Sequence, residues 1–381
     1  MVRKLLIALL AVASIGTAHA QKVVTTEAVL THYGALVHAN YEDSLAAAKK
    51  LQQAVHAFVA APSEAGLEAA RKAWLEAREW YGQTEAFRFY GGPIDGEDGP
   101  EGRINAWPMD EAYVDFVDGQ PDAGFINDRS VPIDRDTLIG LNEKDGEENI
   151  STGWHAIEFM LWGQDRYADS AGRRAYTDFV DGKAPNADRR REYLKVITDL
   201  LVDDLAGLTE AWAPNARNYR ARFVKDEAGI GKMLSGIGVL TRGELAGERI
   251  EVALDSQSQE DEHSCFSDNT HRDIVANALG IRNVWRGEYR RLDGSVLKGP
   301  SLRDLVAAKN KAVAEKVDRL TDATVKAAEE IPAPFDQAVL IDNSGRKKIE
   351  AMVQLLKEQA VALVEAAQVL GIKRLNTSLP E

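Results

Sequence analysis

The chain has 381 residues, with 46 Lys and Arg against 60 Asp and Glu, a formal net charge of -14 and a hydrophobic fraction of 45%. That length suits two domains with sizeable cores, and the acidic balance argues against nucleic acid or anionic membrane as partner while suiting a cation. Only 12 prolines stand among abundant Ala, Leu, Glu, Lys and Arg, so helices are expected throughout.

Residues 1–20 read as an export signal. Arg3 and Lys4 precede an apolar run from Leu5 to Ile15, and Ala18-His19-Ala20 has the small-x-small form of a signal-peptidase site. The run is too short for a membrane helix. Cleavage after Ala20 removes Arg3 and Lys4, takes the charge from -14 to -16, and leaves a mature chain without a transmembrane segment, expected in the periplasm or outside the cell. The single cysteine, Cys265, has no internal disulfide partner and reads as a buried side chain.

Apolar positions at helical spacing predict a long helix over 26–60, ended by Pro62 and Ser63, and a second over 64–89. Glu85 lies among Ala and Phe on a face of that second helix that otherwise reads as core, where a carboxylate must be paired or ligated unless it reaches the surface. A glycine- and acid-rich loop follows over 91–102, then Trp107-Pro108-Met109-Asp110, a turn that either lines a pocket with an acid or anchors a loop.

The stretch Ile150 to Asp165 carries the main chemical signal. Ser151 or Thr152 is the expected cap of a helix whose apolar side is Trp154, Ile157 and Leu161. Beside that side, His155 and Glu158 sit one turn apart and can meet one ion, and the positive helix end favours the neutral, metal-binding imidazole. His-x-x-Glu spacing is common by chance, so a structural histidine that caps or packs stands beside the metal-ligand reading.

Further helices are predicted over 189–212, 225–254, 272–285, 301–331 and 344–372, with Pro214 to Asn218 as the linker between halves. The glycines of 225–254 follow no strand, which excludes a phosphate-binding loop and points to close helix packing. Between 251 and 271 the chain is dense in Glu260, Asp261, Glu262, His263, Asp268 and His271, either a solvated charge run or a pocket wall. Each half holds about four helices, and Thr84 to Phe89 faintly echoes Asp261 to Phe266; in that register Leu279 and Arg282 replace His155 and Glu158, so one site per chain is expected.

Gly153-Trp154-His155-Ala156-Ile157-Glu158 matches the Gly-x-His-x-x-Glu of the imelysin-like family of exported bacterial proteins. Trp74 to Glu85 with Arg78 inside it, Arg103 to Asp110, and Glu260 to His271 add to the resemblance, which is strongest to the iron-regulated protein A branch. It spans nearly the whole mature chain and implies an all-α fold. Two helical domains, residues 21–212 and 213–381, would be related as a pseudo-repeat, each built on a four-helix bundle, with the motif near their junction.

The resemblance and the residues together suggest an exported metal-binding protein serving iron uptake or homeostasis. Its partners would be a metal ion or small chelate and an iron-uptake transporter or receptor. Two protein ligands hold an ion poorly, so Glu85 and Asp268 are expected to join His155 and Glu158, with Asp110 and Glu262 behind them and Arg78, Ser267, Thr270 and His271 binding an anion or orienting ligands. The family's peptidase name suggests an alternative, a zinc metallopeptidase with Glu158 as base, although His-Glu-x-x-His and His-x-x-Glu-His are both absent and position 159 is Phe. A third reading is a metal-free helical binding module that uses His155 as a hydrogen-bonding group.

Overall fold

Helices account for 62% of the computed structural model and strands for 2%, so the fold is all-α. The structure describes residues 24–379; the predicted leader lies outside the described residues.

In the first half, α1 (Thr26–Ala60) begins where the Thr25 hydroxyl accepts from the Ala28 amide, and α2 (Glu64–Tyr81) where Ser63 does the same for Gly66. α2 buries Leu67, Ala70, Trp74, Ala77 and Tyr81, the stripe that a 3.6-residue period presents to one side. α1 packs along α2 and along α4 (Ala187–Ala211), and α3 (Gly153–Trp162) fills the space between α2 and α4.

The second half consists of α5 (Gly229–Val239), α6 (Thr270–Arg286), α7 (Leu302–Lys309), α8 (Lys311–Glu329) and α9 (Arg346–Val369). α8 packs on α6 and α9, and α6 also packs on α2 and on the turn Gly82–Phe87 that follows α2. The buried hydrophobic residues from Val29 to Ala367 accordingly form one continuous cluster. Among the described residues no helix is long and apolar enough to cross a membrane.

Several elements depart from the sequence expectation, each for a local reason. The helix predicted over 64–89 ends at Tyr81 and tightens into a 3-10 turn, Gly82–Phe87, where the Thr84 hydroxyl takes the Tyr81 carbonyl at 2.7 Å. Glu85 is therefore on a buried turn and not on a helix face. The stretch predicted as one helix over 225–254 widens after α5 into a π-helix, Leu240–Glu251, and closes with a short α-helical turn, Val252–Ser256. The Thr241 hydroxyl competes for the Ile237 carbonyl at the start of the wider winding.

The helix expected over 301–331 breaks at Asn310, whose side chain caps α8 by accepting from the Val313 amide. A two-stranded hairpin, β1 (Glu288–Arg290) with β2 (Val296–Lys298), was not anticipated. The close packing expected of the 225–254 glycines does hold at Gly236, where an added Cβ would lie 2.9 Å from the Ala86 carbonyl oxygen.

α3 is buried along its whole length, so it has no solvent side at all. Nor do Ser151 and Thr152 cap it as expected. Their hydroxyls donate to the carbonyls of Leu138 and Arg103, while the Asn142 side-chain oxygen accepts from both of their amides. Gly153 starts the helix at φ +89°, where a Cβ would come within 2.5 Å of the Ile104 carbonyl oxygen. Gly153→Ala is expected to cost on the order of 2–4 kcal/mol, from a disfavoured backbone conformation plus a backbone clash. Urea unfolding checks this; an unchanged midpoint would show that the entry to α3 is not constrained in this way.

Candidate functional site

His155 and Glu158, on adjacent turns of α3, are both fully buried and meet each other, with Nδ1 of His155 2.9 Å from Oε2 of Glu158. The other carboxyl oxygen, Oε1, accepts from the Ser267 amide at 3.0 Å and the Ser267 hydroxyl at 2.6 Å. All of this carboxyl group is thus spoken for by protein groups. His155 Nε2, by contrast, is buried without a hydrogen-bond partner. Burial holds the imidazole well below its usual pKa, and the positive charge of Arg78 adds to that, so the ring is neutral. Burial pushes Glu158 up to about 8, against the two Ser267 bonds. When Glu158 is ionised and the proton sits on Nδ1, Nε2 presents a lone pair.

Trp107 lies against one side of the His155 ring, with centroids 4.9 Å apart, and His263 meets the ring edge-on at 4.7 Å and 75°. His263 is arranged like His155: its Nδ1 is 2.8 Å from Oδ2 of Asp273, which assigns the ring proton to that nitrogen. Burial brings His263 down to about 4, so it too is neutral. The site therefore contains two neutral imidazoles, each held by a carboxyl group at Nδ1. In metal centres such a pairing orients a histidine that ligates through its other nitrogen.

Asp273, on α6, is the hub of the surrounding network. It receives Arg78 Nη2 at 2.8 Å and Nε at 3.3 Å, the Ser264 hydroxyl at 2.6 Å and the Asn269 amide at 3.3 Å. Burial alone would raise its pKa, but Arg78 and His263 override this and hold it well below the usual range. Arg78 donates as well to Asn105 at 2.6 Å, and its guanidinium is boxed in by the rings of Trp74, Tyr81 and Trp154 at 5.5–5.6 Å.

Asn105 leads on to Glu85, which is paired with Arg249 from the π-helix and with Arg88 at 2.9 Å. Burial opposes ionisation of Glu85 but the two arginines prevail, leaving it at about 2. A cavity of about 440 Å³ opens beside this network; Trp107 and His263 line it, together with Glu101, Glu143, Glu244 and Asp261. It has the acidic walls suited to a cation and the size suited to a small chelate.

The structure separates the residues expected to share one ion. Glu85 is neutralised by arginines, and Asp268 lies with Glu262 in a different group that also includes Asp336. Asp110 is exposed and caps the short helix Glu111–Val114 through the Ala112 amide. Ser267 holds Glu158, Thr270 accepts from the Ser264 amide, and His271 contacts the Asp268 carbonyl, while Arg78 pairs with Asp273.

Sequence reasoning passed over His263, Asp273, Arg249 and Asp336. His263 was visible as a histidine in a dense polar run, but nothing in its spacing tied it to His155. Arg249 and Asp336 carry no motif at all.

Comparison with known proteins shows the family and the fold. The family model described as Imelysin, peptidase M75, matches residues 37–363. Iron-regulated protein A of Synechococcus elongatus is 26% identical over 367 residues, covering 91% of this chain and 88% of its own length. A crystal structure named for an iron-regulated protein A precursor of Parabacteroides distasonis superposes with a TM-score of 0.70 at 18% identity, covering 90% of this chain and 94% of that one. An imelysin-like protein of Psychrobacter arcticum gives 0.64 at 14% identity, covering 93% and 98%.

Glu85→Gln leaves Arg249 with Glu244, at 2.8 Å, as its remaining carboxylate, and is expected to cost about 1–3 kcal/mol at pH 7. The folded pKa of about 2 lies below the ordinary 4.5, so the stabilisation is present above pH 4.5 and is lost as pH falls through about 2. Urea unfolding of both proteins at pH 7 and pH 3 should show the gap narrowing with acid. Equal stability at pH 7 would remove the ion pair from any structural role.

Proposed function

The chain belongs to the imelysin family, and from that premise we propose that it is an exported metal-binding protein that captures iron, as the ion or a small chelate, for uptake or homeostasis. One observation carries the reading: Nε2 of His155 is a buried ring nitrogen with no partner, on an imidazole fixed through Nδ1 by Glu158 and edge-on to a second imidazole fixed the same way by Asp273. His155 and His263 are the ligands through Nε2. Glu158 and Asp273 orient them from behind, and the acidic cavity where the two halves of the chain meet draws the cation in.

Imidazole nitrogens with carboxylate oxygens and no thiolate suit iron or zinc more than copper(I). The name of the cyanobacterial relative, iron-regulated protein A, favours iron. The leader sequence supplies the route out of the cytoplasm, and a transporter or receptor of the uptake system would take the cargo.

The peptidase reading is less well supported by the same geometry. A general base needs a carboxylate oxygen free to face water, and both oxygens of Glu158 are engaged, one by Ser267 and one by His155.

Metal analysis and titration of the purified chain test the proposal. Wild-type protein should take up one iron or zinc per chain, His155→Ala and His263→Ala should lose it, and Glu158→Gln should weaken binding by about 10–100-fold, the usual effect of losing an orienting carboxylate. Unchanged affinity in His155→Ala would rule out this site. Loss of cleavage of an unfolded substrate in Glu158→Gln with full metal retention would favour the peptidase reading instead.

A further inference from the structure

A second group of polar side chains, two of them in the loop that carries Ser267, forms no hydrogen bond to the His155 and His263 network. Oxygens of Glu262, Asp268 and Asp336 lie within 4.8 Å of one another, and this is the one such group of three acid, His or Cys ligands among the described residues. Glu262 is fully buried and neither of its carboxyl oxygens has a hydrogen-bond partner; Oδ1 of Asp268 and Oδ1 of Asp336 are also buried without one. Asp165, at the end of the polar stretch after α3, approaches closely enough that it and Asp268 disturb each other's ionisation. Its own donors are the Tyr167 amide and the Gln259 side chain, and Asp336 has only the neighbouring Gln337 amide.

Among the described residues no Lys, Arg or His side chain forms an ion pair with these acids. The charged groups acting on Glu262 are Asp336, Asp268 and Asp165, all of one sign, and burial plus that crowding pushes its carboxyl well up. The same causes bring Asp165 to about 7 and Asp268 to about 6. Other buried carboxylates, Glu158 apart, are met by arginine, as Asp115 is by Arg174 and Arg190, each at 2.8 Å. A buried acid with no donor at all costs free energy unless a cation or a proton compensates it.

We propose that Glu262, Asp268 and Asp336, with Asp165 beside them, form a binding site for a hard divalent cation of calcium size, distinct from the His155 and His263 site. The donor set is oxygen only, which selects calcium or magnesium over zinc and copper. Calcium–oxygen bonds of about 2.3–2.6 Å place opposite ligands about 4.6–5.2 Å apart, whereas magnesium draws them to about 4.0–4.2 Å. The three carboxylates come from two separate segments, with oxygens within 4.8 Å of one another, and calcium tolerates such an irregular oxygen set more readily than magnesium, which demands near-ideal octahedral geometry.

The segments it would join are far apart in sequence. Asp165 follows α3, Glu262 and Asp268 flank Ser267 in the loop before α6, and Asp336 lies on the short helix Phe335–Val339. Asp268 adopts φ +58°, a conformation that aspartate tolerates better than most residues and that turns the chain sharply within the loop. A cation here clips that loop to the segment after α3 and to the C-terminal part, and so steadies the loop that delivers Ser267 to Glu158.

The test uses the full-length chain stripped with chelator, then titrated with calcium chloride and, separately, magnesium chloride, by calorimetry and by thermal unfolding. Wild type should bind one calcium per chain, more tightly than magnesium, with a rise in Tm on the order of 2 °C or more once calcium is well above its dissociation constant. Glu262→Gln and Asp336→Asn should each weaken calcium binding at least tenfold. Because each replaces a buried acid that has no cationic partner by a neutral amide of similar size, each should melt no lower than wild type in chelator, which separates loss of the site from failure to fold.

His155→Ala should leave calcium binding intact, so the outcome does not depend on the iron site. Absence of calcium binding at millimolar concentration, or binding that survives both Glu262→Gln and Asp336→Asn, overturns the proposal. Equal preference for magnesium overturns the assignment to calcium.

Discussion

The contact on which the rest of this site depends is the ion pair of Arg78 with Asp273, both almost wholly removed from solvent. It runs from α2 to α6 and so joins the two halves of the chain at the place where the histidines meet. A buried ion pair contributes little net stability compared with apolar packing, because desolvation offsets the attraction, but losing one partner strands a charge in the interior. Its value lies in direction. Asp273 can hold His263 by Nδ1 only because Arg78 keeps the carboxyl ionised, and Arg78 stays in place because three aromatic rings and Asn105 leave it no other pose.

The same logic extends outwards. Asn105 accepts from Arg78 and donates to Glu85, which is tied in turn to Arg249 on the π-helix. Widening of the helix from Leu240 onward shifts the register of every later side chain relative to a regular α-helix, and Arg249 is one of them. Residues from a turn after α2, a π-helix and the loop before α6 are thereby fixed around one acidic cavity. None of these elements is regular. Irregular backbone is where side chains can be aimed independently of a helical period, which is why a polar site gathers there.

How far this was legible in the sequence follows from the range of the interactions involved. Helix α1 was predicted with the bounds it has, because apolar spacing within 35 residues is a local signal and Pro62 with Ser63 is a local stop. The meeting of His155 with Glu158 was equally local, since residues three apart on a helix are neighbours. What the spacing left open was what the pair does. Two ligands of one ion and a carboxyl group orienting an imidazole have the same i, i+3 signature, and the spacing carries no sign of Ser267, which lies 109 residues away and donates to the second oxygen.

Glu85 was read as paired or ligated, and its partner Arg249 is 164 positions distant. The company that Asp268 keeps was hidden for a similar reason. Its neighbour Asp336 lies on a short helix near the other end of the chain, and no periodicity announces that meeting.

The acids of this protein fall into two classes, and the division has a physical cause. Glu85, Asp115 and Asp273 are buried with arginines and stay ionised, so they are built into the fold as anions. Glu158 and Glu262 are as deeply buried but are pushed upward, one facing only a serine and a neutral imidazole, the other facing only more acids. A chain that places arginine beside one set of carboxylates and withholds it from another has left the second set short of positive charge in a low-dielectric interior, where that shortage is costly. A proton relieves it weakly and a bound cation more fully. Both positions border the Glu262–Asp268 loop, so the buried acids that lack an arginine partner gather about one segment of the chain, beside His155 and His263.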